Sequence, residues 1–271
     1  MSVISAHAIR VHYPRAEQPA VDAVDLQLRA GERTVLLGPS GAGKSSLLRV
    51  LARLQDASSG SVSSDDPSLI GLCQRQWRRR VSMIFQDHAL IPRKSALWHV
   101  MLGCLGDRSF LGSCWFWPRQ DINAALQALQ QVGLNDLAHR PVRQLSGGQR
   151  QRVGIARTLL QQPQVLLADE PIASLDPHTG REILELLSSM LEHAPDRGLL
   201  VSLHQVEAAR AWAQRIIGMR QGRICFDGPP DALDDATLQT IYGDGAISPD
   251  HTLAASPPAV LPTRHHLLPL E

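Results

Sequence analysis

The stretch Gly38-Pro-Ser-Gly-Ala-Gly-Lys-Ser45 decides the fold class of this 271-residue chain. It has the spacing G-x-x-x-x-G-K-[ST], in which the glycines let backbone amides turn inward around phosphate oxygens. A continuous apolar run over residues 34–38 predicts a buried strand before the loop, and residues 45–54 follow with the spacing of a helix. The order strand, loop and helix predicts a phosphate-binding site, because the positive end of the helix dipole points at the loop. A glycine-rich turn without a ligand is the alternative.

The loop residues predict how a nucleoside triphosphate is held. Lys44 would neutralise the β- and γ-phosphates, and the Ser45 hydroxyl would be a ligand for Mg²⁺. ATP and Mg²⁺ are therefore the expected cofactors. The expected nucleotide-binding residues of this loop are Gly38, Pro39, Ser40, Gly41, Ala42, Gly43, Lys44, Ser45 and Ser46.

A second apolar run, Val165-Leu-Leu-Ala-Asp-Glu170, ends in two adjacent carboxylates. Phosphoryl transfer to water needs a carboxylate for the metal and a base or polarising group for the attacking water. We expect Asp169 to hold Mg²⁺ through water, and Glu170 to orient or deprotonate the attacking water. Without the phosphate loop, a strand exit with a solvated cap would explain the pair equally well.

The string Leu145-Ser-Gly-Gly-Gln149 precedes a stretch, 151–160, that has helical spacing. Ser146 and the amides of Gly147 and Gly148 would form a second anion-binding site at a helix N-terminus, with Gln149 beside them. One nucleotide does not need two such sites from one chain. We therefore predict a head-to-tail dimer, in which this string serves the nucleotide held by the second copy. An ordinary Ser-Gly-Gly helix cap is the alternative.

The remaining patterns predict an α/β fold with a P-loop (RecA-like) core, an antiparallel β subdomain and an α-helical insertion subdomain. We expect one ATPase domain over 1–243, with the helical insertion at 87–159, and a Pro/His-rich tail at 244–271. The finer expectations are an antiparallel layer from 3–13 and 24–28, a serine-rich loop at 58–68, buried strands at 81–85, 165–168 and 199–203, and a helix at 181–191.

Composition excludes several classes of protein. The 27 Lys and Arg residues against 26 Asp and Glu leave a formal charge of +1, so no global basic field would drive binding to nucleic acid or anionic lipid. The four cysteines include no C-x-x-C pair, which argues against a zinc ribbon or a disulfide framework. The scattered cysteines are typical of a protein that works in a reducing cytosol. The apolar runs are far shorter than the roughly 20 residues of a membrane span, so we expect neither a membrane span nor a signal peptide.

Together the motifs resemble those of ABC-type ATPases. The phosphate loop, the string 145–149, the Asp169-Glu170 pair, Ala173-Ser-Leu-Asp176 and His204 follow in that family's order and approximate spacing. The resemblance, which covers residues 3–242, implies that Gln86 contacts Mg²⁺ and water and that Tyr13 stacks on adenine. It also implies that His204 contacts the γ-phosphate and that Asp176 lies in a loop crossing to the partner chain. Without the resemblance, Tyr13 would be interpreted as a packing residue of the β layer, and His204 as a histidine at a strand end with no functional role.

Several further stretches resemble the ATP-binding subunits of bacterial phosphonate importers. They are Leu167-Ala-Asp-Glu-Pro-Ile-Ala-Ser-Leu-Asp-Pro177, Ser202-Leu-His-Gln-Val206, Ile224-Cys-Phe-Asp-Gly-Pro-Pro230 and 103–126, which contains Phe110 and Trp115-Phe-Trp117. The serine-rich segment 58–68 and the tail after residue 248 depart from this pattern.

The aromatic cluster Trp115-Phe-Trp117 carries a further prediction. Because successive helical side chains point about 100° apart, we expect at least one of the three consecutive aromatics to be exposed as a partner surface; a small local core is the alternative.

The resemblance implies a homodimeric ATPase at the cytoplasmic face of the inner membrane, closed by ATP and opened by hydrolysis. It would drive separate integral membrane permease subunits, with a periplasmic or surface binding protein choosing the ligand. No nucleic acid partner is expected, because the basic run 75–80 is too short for a groove-length footprint and predicts a solvated helix face. The alternative is a non-transport ATPase that acts as a clamp or scaffold, in a phosphonate-degrading complex or on nucleic acid.

Overall fold

The computed structural model describes residues 2–85, 90–107, 117–173 and 175–243. Over these residues the chain forms two β-sheets with helices packed on them. The strands are β1 (Ser2–Val11), β2 (Val21–Arg29), β3 (Arg33–Leu37), β4 (Ser59–Ser63), β5 (Val81–Ile84), β6 (Val165–Asp169), β7 (Gly198–Leu203), β8 (Arg215–Arg220) and β9 (Arg223–Gly228). The helices are α1 (Lys44–Leu51), α2 (Gln74–Arg80), α3 (Ala96–Met101), α4 (Arg119–Gln131), α5 (Gly147–Leu160), α6 (Pro177–His193), α7 (Val206–Trp212) and α8 (Asp235–Tyr242).

The larger sheet is the centre of the fold. Its six strands lie in the order β5-β6-β7-β3-β8-β9, and all neighbours are parallel except β8 and β9. β5, β6 and β7 are buried along their whole length, as is usual for parallel strands covered on both faces. The buried strands predicted from continuous apolar runs are therefore confirmed.

The smaller sheet has the antiparallel order β2-β1-β4 and confirms the predicted antiparallel layer. The prediction of a loop over 58–68 is wrong in its first half, because β4 pairs with β1 there. Serine and glycine are poor strand formers, so this strand depends on its tertiary partner. Gly60 has a φ of +92°, and a Cβ at this position would lie 2.5 Å from the carbonyl oxygens of His7 and Ala8. Only glycine fits this close approach.

The helices follow the apolar spacing of the sequence, but caps decide where they begin. α6 begins before the predicted segment 181–191, because Asp176 caps it and Pro177 occupies its first turn. α3, α4 and α5 pack against one another within the segment expected to be the helical insertion. 

Two hydrophobic clusters hold these layers together. One lies between the larger sheet and helices that include α3 to α6, and the other lies between the two sheets and encloses α1. Alternate side chains of β3 contribute to different clusters, with Val35 and Leu37 in the first and Leu36 in the second. The strand that leads to the phosphate loop is therefore held on both faces.

Trp77 is the largest fully buried side chain of the second cluster, and we expect its truncation to destabilise the fold. Its ring nitrogen donates a hydrogen bond to the Leu51 carbonyl at 3.0 Å, and the Arg53 guanidinium lies 3.9 Å from the ring centroid. Trp77→Ala should lower the free energy of unfolding by about 3–5 kcal/mol, measured by urea denaturation. Trp77→Phe keeps most of the ring and should cost less; equal losses for the two variants would contradict a packing role.

Candidate nucleotide-binding site

Three neighbouring strands of the larger sheet bring the phosphate loop, the Asp169-Glu170 pair and His204 to one edge. β3 lies beside β7, where Leu37 pairs with Leu203, and β7 lies beside β6, where Asp169 pairs with Ser202. The phosphate loop and His204 follow directly on the ends of β3 and β7, and the carboxylate pair begins with the last residue of β6. Ligands of parallel α/β sheets bind outside the carboxyl ends of the strands, so this edge is where a nucleotide is expected.

The phosphate loop is a tight turn that requires glycine. Gly41 and Gly43 have φ angles of +78° and +100°, in the left-handed region that favours glycine. A Cβ at Gly43 would lie 2.0 Å from the Ala20 carbonyl oxygen, and one at Gly38 would lie 2.2 Å from the Met219 carbonyl oxygen. The loop is therefore packed against the β1–β2 connection and β8, with no space for side chains at these two positions.

Lys44 is buried inside this loop. Its Nζ donates hydrogen bonds to the carbonyl oxygens of Gly38 at 2.6 Å and Pro39 at 3.0 Å. Burial lowers the pKa of the Lys44 ammonium, while the charges of Glu170 and Asp169 act in the opposite direction. The loop thus holds the Lys44 ammonium close to both carboxylates, where it could neutralise the negative charge of bound phosphates.

Ser202 positions the two carboxylates. Its hydroxyl donates a hydrogen bond to Asp169 Oδ1 at 2.9 Å and accepts one from the Glu170 backbone amide at 3.0 Å. Glu170 has a φ of +51°, an uncommon conformation for a residue other than glycine, and such strain is often found at functional sites. Gln151 of α5 supports the same turn through hydrogen bonds from its Nε2 to the carbonyl oxygens of Glu170 and Pro171. In the sequence, Ser202 drew notice only as part of a string that resembles the family, and no motif assigned a role to Ser202 or to Gln151.

Glu170 and His204 form a short polar contact at this edge. His204 Nε2 lies 2.5 Å from Glu170 Oε1, and the Glu170 side chain is 12% exposed against 40% for His204. The hydrogen bond with His204 lowers the pKa of the Glu170 carboxyl, partial burial opposes that change, and the charges of His204 and Lys44 add to it. Glu170 is therefore held as a carboxylate, the form that can orient or accept a proton from water.

The string 145–149 forms the N-terminus of α5. Ser146 Oγ accepts a hydrogen bond from the Gln149 amide at 3.2 Å, and Gln149 Oε1 accepts one from the Ser146 amide at 2.9 Å. This reciprocal capping box agrees with the alternative of an ordinary helix cap. It is also compatible with the predicted anion-binding role. Ser146 and Gly147 are exposed, and a Cβ at Gly147 would meet nothing within 4 Å. The positive end of the helix therefore faces open space, with Gly148 and Gln149 partly covered.

Tyr13 and Asp176 have clear local partners. The Tyr13 hydroxyl lies 3.0 Å from Ser46 Oγ in the phosphate-loop helix, and the residue is 36% exposed. Asp176 is exposed and accepts hydrogen bonds from the amides of His178 and Thr179 as the cap of α6. The bond from Thr179 contributes most to lowering the pKa of Asp176. The Asp-Pro pair at 176–177 could have predicted this cap from the sequence.

Some predicted residues lie outside the described part of the chain. These are Gln86, Phe110, Trp115 and Phe116, together with the tail 244–271. Trp117 is half-buried and packs against the first hydrophobic cluster. The basic run 75–80 forms most of α2 and is largely exposed apart from Trp77. No helix in the described segments is both long and apolar enough to span a membrane.

A P-loop, a carboxylate pair and a histidine at adjoining ends of a parallel sheet, beside an antiparallel sheet, define a nucleotide-hydrolysing ATP-binding cassette. The sequence pattern of the ABC transporter family matches residues 21–173, and the chain belongs to that family. Among solved structures, the dimeric post-hydrolysis state of an ATP-binding cassette bound to ADP and Pi has a TM-score of 0.74 and 30% identity. That match covers 84% of this chain and 98% of the other. The predicted fold class is confirmed.

Curated relatives extend the similarity over nearly the whole chain. The chain is 43% identical to the phosphonates import ATP-binding protein PhnC of Thiobacillus denitrificans, over 93% of this chain and 97% of that protein. It is 46% identical to the phosphite import ATP-binding protein PxtA of Stutzerimonas stutzeri, over 96% and 94% of the two chains. The predicted resemblance to phosphonate importer subunits is confirmed at the level of these sequences.

Proposed function

We propose that this chain is the ATP-binding and ATP-hydrolysing subunit of a bacterial importer for phosphonates or a related oxyanion such as phosphite. The observation that carries the proposal is the similarity to import ATP-binding proteins over almost the full length of both chains. The buried Lys44 and the Glu170–His204 pair supply the groups that such an ATPase needs. The relatives' names favour import over the alternative of a clamp or scaffold.

The phosphate loop would bind the nucleotide through its backbone amides and Lys44, with Tyr13 against the base. Ser45 follows Lys44 in α1, and Asp169 is the last residue of β6, close enough for its charge to act on Lys44. The Ser45 hydroxyl and the Asp169 carboxylate offer the kind of oxygen atoms that Mg²⁺ takes as ligands. We assign Ser45, Asp169 and Gln86 to Mg²⁺, which would offset the negative charge of the phosphates when bound.

Glu170 would orient or deprotonate the attacking water, and His204 would hold Glu170 and contact the γ-phosphate. Their hydrogen bond, at 2.5 Å, joins the ends of β6 and β7 and keeps the base at a defined place. Glu170 is the less exposed member of this pair. Hydrolysis therefore depends on both side chains.

Removing His204 should change the pH dependence of hydrolysis as well as its rate. The pKa of Glu170 is lowered mainly by its hydrogen bond with His204, so activity that needs the carboxylate is retained as pH falls until that lowered pKa is reached. His204→Ala raises the pKa, and the acid limb of the kcat–pH profile should move to higher pH. His139→Ala, at an exposed histidine, is the control. An acid limb at unchanged pH would show that another group sets it.

The exposed N-terminus of α5 would complete the nucleotide site of a second copy. Ser146, Gly147, Gly148 and Gln149 would contact the nucleotide bound to the partner's phosphate loop, and Asp176 would lie near the same boundary. The similar cassette with bound ADP and Pi is dimeric. ATP binding would close such a homodimer, and hydrolysis would let it open.

The dimer would act on integral membrane permease subunits from the cytoplasmic face, as a peripheral subunit, with a separate binding protein selecting the ligand. The experiment is co-purification of the chain with its permease, followed by ATPase measurement in liposomes with the binding protein and phosphonate, phosphite or phosphate. We expect stimulation by at least one of the first two ligands. The proposal would be contradicted if the chain co-purified in a stable complex that contains no permease, or if neither phosphonate nor phosphite stimulated hydrolysis.

A further inference from the structure

The segment that carries Tyr13 is fastened to the phosphate loop. It connects β1 to β2, and its end at Ala20 lies so close to Gly43 that no side chain fits between them. The turn at Gly222 links the phosphate loop to the start of β2. Its backbone amide donates to the Ala42 carbonyl, and its carbonyl accepts from the Asp22 backbone amide. Movement of the Tyr13 segment relative to the loop is therefore restricted at its C-terminal end.

The Tyr13 hydroxyl interacts with the side chains of Ser46, Gln55 and Arg49, and its hydrogen bonds with Ser46 and Gln55 run in one direction. It donates to Gln55 Oε1 at 2.9 Å, and it lies 3.0 Å from Ser46 Oγ. Because a hydroxyl has one proton, donation to Gln55 leaves the Tyr13 oxygen to accept from Ser46. Ser46, Tyr13 and Gln55 thus form a chain of hydrogen bonds from the phosphate-loop helix to the segment after it.

Gln55 is itself held in place. It lies in the connection between α1 and β4, where its backbone amide donates a hydrogen bond to the Arg49 carbonyl near the end of α1. Three residues further on, the Ser58 amide donates to the Arg10 carbonyl at 2.7 Å, and Ser58 Oγ accepts from the His12 amide at 3.0 Å. The connection is therefore tied to β1 just before Tyr13, and Gln55 can act as a fixed acceptor.

We propose that Gln55 is a positioning residue for the nucleotide base, which holds the Tyr13 ring in register with the phosphate loop through the Tyr13 hydroxyl. The proposal rests on the proposed function, in which Tyr13 stacks on the base. A ring fixed at its hydroxyl loses little further freedom when a base stacks on it, so more of the stacking energy contributes to affinity. Gln55 would affect recognition of the base without touching the nucleotide.

The experiment compares a ligand that has a base with one that does not. Calorimetric titration of the full chain with ATP and with inorganic tripolyphosphate separates the base from the phosphate chain. Gln55→Leu, which removes the acceptor, should weaken ATP binding by about three- to tenfold, the usual contribution of one hydrogen bond. Affinity for tripolyphosphate should stay unchanged, and KM for ATP should rise more than kcat falls. Gln55→Glu retains an acceptor oxygen and should restore ATP affinity, while Gln131→Leu is the surface control.

A double-mutant cycle tests whether Gln55 acts through the Tyr13 hydroxyl. Tyr13→Phe keeps the ring and removes the hydroxyl, so Gln55→Leu should have no further effect on ATP affinity in that background. The full loss in both backgrounds, an equal loss for tripolyphosphate, or wild-type ATP affinity of Gln55→Leu would each overturn the proposal. Thermal midpoints within the range of the Gln131→Leu control show that the variants are folded.

Failure of the proposed base site has a different signature. If Tyr13→Ala binds ATP as tightly as the wild type does, the stacking role of Tyr13 is wrong, and the proposal for Gln55 is wrong with it. If Tyr13→Ala loses ATP affinity but Gln55→Leu does not, the base site stands and only the role of Gln55 is rejected.

Discussion

Glu170→Gln is expected to lower kcat by about 10²- to 10⁴-fold while leaving ATP binding close to that of the wild type. The amide has the shape of the carboxylate and can still bond to His204, which lies 2.5 Å from Glu170 Oε1. It cannot accept a proton from water, and it does not carry the charge that the surroundings of Glu170 maintain. Binding and chemistry should therefore separate in this variant.

The ATP-bound dimer of Glu170→Gln should accumulate, because closure no longer leads to hydrolysis. Size-exclusion chromatography with ATP measures the dimer, and phosphate release under single-turnover conditions measures the chemistry. Glu192→Gln, at an exposed position near the end of α6, is the matched control for loss of one carboxylate. Wild-type hydrolysis by pure Glu170→Gln protein would remove Glu170 from the mechanism.

Lys44→Ala and Ser146→Arg should both abolish productive hydrolysis, but for different reasons. Lys44 is the buried cation of the phosphate loop, so its removal should weaken nucleotide binding and lower hydrolysis by on the order of a hundredfold or more. Ser146 is exposed at the N-terminus of α5, so an arginine there should leave binding by the monomer intact and block the closed dimer. Ser146→Ala removes the side-chain cap of α5 and should cost about 1 kcal/mol of stability.

Mixing the two variants tests the composite site directly. A mixed dimer combines the damaged loop and the damaged α5 in one site and leaves the other site intact, so ATP-dependent dimerisation should be partly recovered. Analytical ultracentrifugation of labelled chains with ATP distinguishes mixed from uniform dimers. Hydrolysis that does not depend on protein concentration, or no recovery in the mixture, would contradict a site shared between two copies.

The phosphate loop and the helix caps could be predicted because their interactions are local. Lys44 Nζ bonds to carbonyls five and six residues away, and Ser146 and Gln149 bond to each other within one helical turn. Spacing in the chain is therefore enough to identify such groups. The cap made by Asp176 has the same local origin, although the family resemblance directed attention to a partner chain instead.

The polar groups that support the site were not predictable in this way. Ser202 is 33 residues from Asp169 along the chain, and Gln55 is 42 residues from Tyr13. A serine in an apolar run and a glutamine after a helix are common, so neither attracts notice alone. Their roles follow from the pairing of β6 with β7 and from the contact between the α1–β4 connection and the end of β1.

The sequence by itself determined the phosphate loop and the buried parallel strands, because each depends on residue types at short spacings, and the order of several such motifs along the chain determined the family. Only the tertiary structure decided that the serine-rich segment contributes β4, that His204 meets Glu170, and that Tyr13 is held between Ser46 and Gln55. The physical reason is the range of the interactions. Strand register and side-chain contacts between distant segments depend on how the whole core packs, and no local pattern encodes them.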